Sequence, residues 1–591
     1  MPRESRAIPK MIGLENEYGC ALKNLPDGLP MESAGVPFIV KINPQWFSLE
    51  KSGSWDPTER LSNIEINDEK HHAHLKDKDW HAMNFLMPNG ARLYCDMTHP
   101  EISIPICRNA QEALMQDRAC EWLMNFIREK HQEHYGYQYV LYKNNTAGGF
   151  EDDFSTRRSG VSYATHENYL VSRRTPIEDL YAKVLPFLIL RTAFTGAGKV
   201  GGQRMDSSIN FQISQRAEYF GQPLGVDTTG YSRPIYNLRD RPYADPQRFR
   251  RLHVIPGDAN MCEVAEFLKF ATMQVLLMMI EDEYLDSRFS LNDPVSSFHK
   301  ISRDLTFKER VVFKGKRPSR TCLDALKEYA ELMWNYLETF NIQDEMLRYG
   351  VKEMGRVLDM LATCPESCFG ILDHVTKKML IEIALKNGKI SSWKDPNAKT
   401  MDMKYHNINS SESLFYKPKT YQHMKRLITN EEIQKAAFEP PPTRSRFQVE
   451  VHKRFGLIQW DWRKVYIADE NGNMAPPIFL EDPAISWEKL EGLLSDDRKE
   501  FLKRVKDAGL LESSQDHDNP DEKFYGLSYG KGRDPKPRHR HIFPETKPGI
   551  GPIREDDDVS WWPDFSYKKM LDDLKKRDLT DDDPGQYNGG D

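Results

Sequence analysis

The chain has 591 residues, 82 basic and 89 acidic side chains, and a formal net charge of −7. That weakly acidic balance offers no global positive field to nucleic acid or to an anionic membrane. The opening MPRESRAIPK contains no apolar signal core, and the greasiest run, residues 270–280, is too short to span a bilayer. A cytoplasmic protein with neither nucleic acid nor membrane as partner is expected. Eight cysteines spread over this length read as reduced thiols, and the Cys364/Cys368 pair has no second ligand pair nearby to hold zinc.

Residues 10–19, KMIGLENEYG, read as a strand whose alternation sets Glu15 and Glu17 on one face and Ile12 and Leu14 on the other. Residues 20–88 are polar, weakly periodic and long for a loop, which predicts a functional or partly disordered insertion. Its His71, His72 and His74 read as solvated rather than metal-bound. In NGARLYCDMTHPE, residues 89–101, Arg92, Tyr94 and Asp96 share a strand face while Leu93 and Cys95 take the other; His99 and Glu101 follow across Pro100.

Residues 110–130 have helical apolar spacing, and 137–142 read as a strand. A Gly- and Asp-rich loop, 146–162, leads into the strand YATHENYL, which sets His166 and Asn168 opposite Glu167. Thr175-Pro-Ile-Glu178 predicts a capping box with proline at the first helical position, opening a helix to about Phe194. Gly196-Ala-Gly198-Lys199 fails as a phosphate loop, because it closes a helix and no Ser or Thr follows the lysine. Residues 209–220 are expected as one strand carrying Asn210, Gln212, Ser214 and Arg216 on a face. Residues 232–240 add Arg233, Asn237 and Arg239, and 250–255 add Arg251 and His253. A very apolar helix over about 261–284 should be central, and helices follow in 320–390.

Several strands thus present acids, arginines, imidazoles and amides on one face. Two carboxylates about 4 Å apart repel by roughly 4 kcal/mol at an effective dielectric near 20, so Glu15, Glu17, Asp96 and Glu101 together call for a cation. Oxygen donors with a histidine nearby suit Mg2+ or Mn2+, usually shared with phosphate, and the arginines then read as phosphate or carboxylate clamps. The residues alone describe a metal-nucleotide enzyme on an antiparallel sheet.

The segments IGLENEYG, NGARLYCDMTHPE, YKNN, THENYL, FTGAGKVG, FQISQRAEY and SRPIYNLRDRPYADPQRFRRLHVIPGDAN, in this order over roughly residues 8–475, resemble the Pup ligase and Pup deamidase/depupylase family. The resemblance implies an α+β fold like glutamine synthetase and the carboxylate-amine ligases: a curved antiparallel sheet cradle, flanking helices and a small C-terminal domain. The expected division is a catalytic domain at 1–420 containing the 20–88 insertion, a C-terminal domain at 421–515 and a charged, disordered tail at 516–591. It implies ATP (or ADP plus phosphate) and Mg2+ as cofactors and a Pup-like modifier with its lysine conjugates as partner.

Carried over by motif, Glu15, Tyr94 and Glu101 fall on magnesium ligands, with Glu17, His166 and His253 beside them. Asp96 falls on the catalytic aspartate, and Arg92 and Trp462 on nucleotide contacts, with Arg216 and Arg239 as further clamps. One departure is Ile104, where the family has an ATP-contacting threonine. The short Asp96-Met-Thr-His99 link, Gln212, residues 225–229, GDAN at 257–260, residues 424–429 and the 20–88 insertion are similar to the depupylase branch. The favoured expectation is therefore hydrolysis of the modifier's C-terminal side-chain amide or isopeptide bond. Ligation through a phosphorylated C-terminal glutamate is the alternative; an inactive relative that binds Pup-like tails, or a small-molecule carboxylate-amine ligase, comes third. The chain ends Asn588-Gly-Gly-Asp591, similar to the Gly-Gly-Glu/Gln end of such modifiers, and reads foremost as an acidic tail.

Overall fold

The computed structural model describes residues 3–511 apart from 24–33, 43, 48–53, 56–83, 97–98, 148–160, 164, 203–207, 227, 229–232 and 316. The expectations for His71, His72 and His74, for most of the 146–162 loop and for the tail lie outside the described residues.

A six-stranded antiparallel sheet organises the site. Its strands are β1 (Ile12–Glu17), β2 (Asn84–Leu86), β3 (Arg92–Asp96), β4 (His99–Ser103), β5 (Thr165–Ser172) and β6 (Phe249–Val254), in the spatial order β6-β5-β1-β4-β3-β2. Alternation makes each strand two-faced. Ile12, Leu14, Leu93, Ile102, Tyr169 and Leu252 are buried on the helix side.

Helices cover that side, among them Ala110–Tyr135, Glu263–Glu281 and the short Gly35–Val40. In α1 (Ala110–Tyr135), the Asn109 side chain accepts from the Glu112 amide, and Gly136, at φ 70°, closes the C-terminus with its N–H on Gln132 O. α2 (Ile177–Leu190) is followed by α3 (Glu263–Glu281), which is buried along almost its whole length. Asp373 Oδ1 accepts from the amides of Met261 and Cys262 at 3.0 Å each, which ties down the start of α3.

A second apolar cluster gathers Leu86 with Phe447, Val451, Trp460, Val465, Ile478 and Phe501, whereas Met424, Ile428 and Ala436 belong to the first core. The change of core therefore falls at the helix Arg444–Phe455. The small sheet of this second unit runs Ile478–Phe479, Lys464–Tyr466, Gln459–Trp460 and then, in parallel, Ser54–Trp55 from within the 20–88 stretch. That stretch also supplies the strand Gly19–Leu22, paired with Tyr139–Tyr142. Where it is described, it is structured and joins both units. No helix among the described residues is long and apolar enough to cross a membrane.

Residues 209–220 do not form the single strand expected. Only Phe211–Gln212 is extended; Ser214 Oγ then accepts from the amides of Arg216 and Ala217, and the chain turns through a 3-10 segment, Ala217–Tyr219. The serine's local hydrogen bonds override strand alternation. The strand Phe220–Gly225 that follows pairs in parallel with Arg233–Asn237. The capping box at Thr175 is also absent: Pro176 occupies the cap of α2 with no side-chain bond, and the Thr175 amide turns back to Ser172 O. The helix expected to reach Phe194 stops at Leu190 and resumes as a short turn, Thr192–Thr195.

Candidate active site and metal centre

The concave face of the sheet is built by cross-strand pairing. Glu17 lies opposite Glu101, and Glu101 opposite Tyr94; Glu15 lies opposite both Ser103 and His166, and Asn168 opposite His253. Side chains in such pairs stand about 5 Å apart. Five strands from distant parts of the chain therefore converge on one patch.

The patch holds two clusters. Ligand atoms of Glu17, Asp96 and Glu101 lie within 4.8 Å of one another, as do those of Glu15, His166 and His253. In the first, the Tyr94 hydroxyl donates to Glu101 Oε1, and Ser103 Oγ lies 3.5 Å from that hydroxyl. In the second, His166 Nδ1 is 3.4 Å and His253 Nε2 3.7 Å from Glu15 Oε2, and Asn168 Nδ2 donates to Glu15 Oε1 at 3.1 Å.

The two clusters differ in charge. Burial pushes the Glu17 carboxyl well up, and neighbouring Asp96 adds to the effect. Glu101 is also held well above the usual carboxylate range, by burial and then by Asp96, Glu15 and Glu17. Burial raises Asp96, with the His166 charge opposing it. Glu15 goes the other way: burial raises it, but the contacts from His166 and His253 and the Arg251 charge outweigh that, so it is held well below the usual range. Burial lowers His166 and takes His253 down to about 3, so the His253 imidazole is neutral at pH 7 and able to act as a ligand.

Several of these groups fit a cation in a specific way. Among the described residues, Glu17 Oε1 and both ring nitrogens of His253 are buried without a hydrogen-bond partner, although His99 Nδ1 stands 3.6 Å from the first and Glu15 Oε2 3.7 Å from His253 Nε2. Buried acceptors left unpaired are costly unless something binds there. One divalent ion would neutralise the first cluster, where three acids crowd together, and a second would take one imidazole nitrogen of His253 in the other.

Beside the second cluster lies a cleft lined by Gly13, Glu15, Tyr243, Arg251, Arg444 and Trp462, with Ile104 also in its wall. Trp462 thus comes from the second unit to face the sheet. Arg92 stacks on the Tyr94 ring, 3.8 Å from its centroid, and its Nε donates to Asn84 Oδ1 at 2.9 Å. Arg239 directs its charge at Asp96, and its buried Nε has no hydrogen-bond partner among the described residues. Arg216, expected as a nucleotide clamp, is engaged by the protein itself. Its fully buried guanidinium donates to Ser162 Oγ and to the carbonyls of Ile255 and Gly257, so it holds the loop after β6.

Sequence reasoning had not singled out Asn168 or Arg251 as site residues, although alternation placed them beside His166 and His253. Arg251 donates to Asn168 Oδ1 at 3.1 Å and lies 3.6 Å from Glu15. Arg444 had no local signal. It reaches the cleft by long-range packing, donating to Tyr243 O and Leu480 O at 2.7 and 2.8 Å.

The family described as Pup-ligase protein matches residues 10–466 of this chain. A depupylase of Acidothermus cellulolyticus is 33% identical over 467 residues, covering 76% of this chain and 90% of that protein. A Pup–protein ligase of Mycobacterium leprae is 33% identical over 371 residues, covering 61% and 78%. Among solved structures, the Pup ligase PafA in complex with ADP aligns with a TM-score of 0.61 and 27% identity, covering 78% of this chain and 96% of that one.

Proposed function

The chain belongs to the Pup-ligase protein family, and from that membership we propose that it is an ATP- and Mg2+-dependent deamidase/depupylase that hydrolyses the C-terminal side-chain amide or isopeptide bond of a Pup-like modifier. The observation that carries the reading is the setting of Asp96. Its carboxylate sits with Glu17 and Glu101, and the Glu15 cluster and the Arg239 charge adjoin it. The greater share of this chain matched by the depupylase relative supports hydrolysis over ligation.

Glu17, Glu101 and Tyr94 would hold one Mg2+, and Glu15, His166 and His253 a second. Bound there, the ions would polarise the scissile carbonyl and offset phosphate charge. Trp462 would offer a face for the base, while Arg92 and Arg239 would meet phosphate oxygens. ATP, or ADP with phosphate, serves as a resident cofactor in this reading. Asp96 acts on the amide carbonyl carbon, as nucleophile or as base for a water. The C–N bond breaks and one water is consumed; its oxygen stays on the carbonyl carbon, and the amine leaves with a proton.

Ligation remains the second reading, favoured by the fold shared with PafA. There Asp96 would take the proton of the incoming lysine, while ATP phosphorylates the modifier's terminal glutamate. Incubating the purified chain, ATP and Mg2+ with a Pup–lysine conjugate, and separately with glutamate-ended Pup and an acceptor, tests the two. Release in the first reaction alone is expected; conjugation in the second alone would replace hydrolysis with ligation.

A further inference from the structure

Asn16 sits on β1 between Glu15 and Glu17, and alternation sends its side chain through the opposite face of the sheet. There it is fully buried, and its Nδ2 donates to Asp117 Oδ1 on α1 at 2.5 Å. Asn16 Oδ1 is buried with no hydrogen-bond partner among the described residues. An apolar side chain would satisfy that burial better, so what the amide adds is its bond to Asp117.

Asp117 is itself immobilised. Its other oxygen takes the Lys143 ammonium, which also reaches Glu121 Oε2 at 3.1 Å. Arg118 joins Glu121 at 2.9 Å to Glu266 on α3 at 2.7 Å, and donates to Asn260 O at 2.9 Å. The Lys143 amide is held by His406 O at 2.9 Å. Asp117, Lys143, Arg118 and Glu121 are all buried. Shifting Asp117 therefore means disrupting several buried ion pairs at once.

β1 is hydrogen-bonded on both edges, to β4 and β5. Those ladders fix its position within the sheet but leave its height along the sheet normal soft. A bond running along that normal, at the residue between two metal-facing acids, supplies the missing constraint. We propose that Asp117 is a positioning residue for the metal centre: through Asn16 it fixes the height of β1, so that Glu15 reaches one cluster and Glu17 the other. The inference rests on the metal reading given above.

The test is Mn2+ binding to the full chain, followed by electron paramagnetic resonance, with thermal unfolding measured in parallel. Asn16→Ala and Asn16→Asp should each weaken Mn2+ binding by about tenfold or more, the usual cost of losing a residue that orients a ligand. The swap Asn16→Asp with Asp117→Asn reverses donor and acceptor, keeps the net charge and should restore binding. Tyr416→Phe removes a hydroxyl that donates to Glu121 at the far end of the network. It should lower thermal stability without moving Mn2+ affinity. Binding by Asn16→Ala within twofold of the parent, or an equal loss in Tyr416→Phe, overturns the proposal. A parent chain that binds no Mn2+ overturns the metal reading itself, and this inference with it.

Discussion

Tyr94 and Glu101 face each other across β3 and β4, and the phenol donates to the Glu101 carboxylate while the Arg92 guanidinium lies over the ring. The hydroxyl therefore fixes the orientation of a carboxylate that shares its cluster with Asp96. Tyr94→Phe keeps the ring and its stacking but frees that carboxylate. The Mg2+ concentration for half-maximal activity should rise by roughly 10- to 100-fold, with a much smaller change in melting temperature. A Mg2+ titration of deamidation, run beside a thermal melt, checks both.

Asp96 is the acid in its cluster that acts on the substrate in the proposed mechanism. Asp96→Asn keeps size and hydrogen-bonding capacity and removes the nucleophile or base. Turnover should fall by about 10²- to 10⁴-fold, while binding of the modifier is retained. Single-turnover cleavage and a modifier-binding isotherm on the same preparation separate the two. Loss of binding in proportion to turnover would make Asp96 a docking residue instead.

The shared faces of the site strands were legible from alternation, because Glu15 with Glu17, Arg92 with Tyr94 and Asp96, His166 with Asn168, and Arg251 with His253 are each two residues apart. Which strands lie side by side was not legible. β1 is joined to β5 across more than 140 intervening residues, and nothing local encodes that pairing. Buried supports were equally invisible. Glu167, between His166 and Asn168, points to the helix side, where Arg191 donates to both its oxygens at 2.5 and 3.0 Å. The error at 209–220 has a local cause, since Ser214 and Arg216 fit an alternating pattern while their hydrogen bonds bend the chain. The Ser54–Trp55 strand escaped notice because its partner, Gln459–Trp460, lies 400 residues away.

Trp462 brings the second unit to the cleft beside Glu15, with its indole 5.9 Å from that of Trp460 at nearly a right angle. Trp460 is fully buried and Trp462 is half-buried, packing on the same core and lining the cleft, so the first anchors the strand and the second also meets the cleft. Trp462→Ala should weaken ADP binding by about 1–3 kcal/mol, the usual worth of a base–aromatic stack. The apolar core around Trp460 should keep its melting temperature within a few degrees. Titration with a fluorescent ADP analogue gives the affinity. An unchanged value would place the base elsewhere in the cleft.

His374 supplies a prediction about pH that is independent of the metal centre. It is buried, its Nε2 donates to Ala193 O at 3.0 Å, and the Phe307 ring lies edge-on at 6.2 Å. Burial takes its pKa down from 6.5 to about 4, with the Ala193 carbonyl and Asp373 opposing that fall and Lys377 and Lys378 adding to it. The unfolded chain therefore binds a proton at this site at higher pH than the folded chain does. The stability contribution is fully present above about pH 6.5, is lost as pH falls toward 4, and changes no further below that. Its upper bound is about 3 kcal/mol. Buried His131, lowered to about 4 chiefly by burial, acts in the same direction. His374→Gln keeps a donor for Ala193 O and cannot titrate. Urea midpoints measured from pH 7.5 to 4.5 should fall less steeply in the variant than in the parent, and parallel curves would show that His374 does not carry this acid sensitivity.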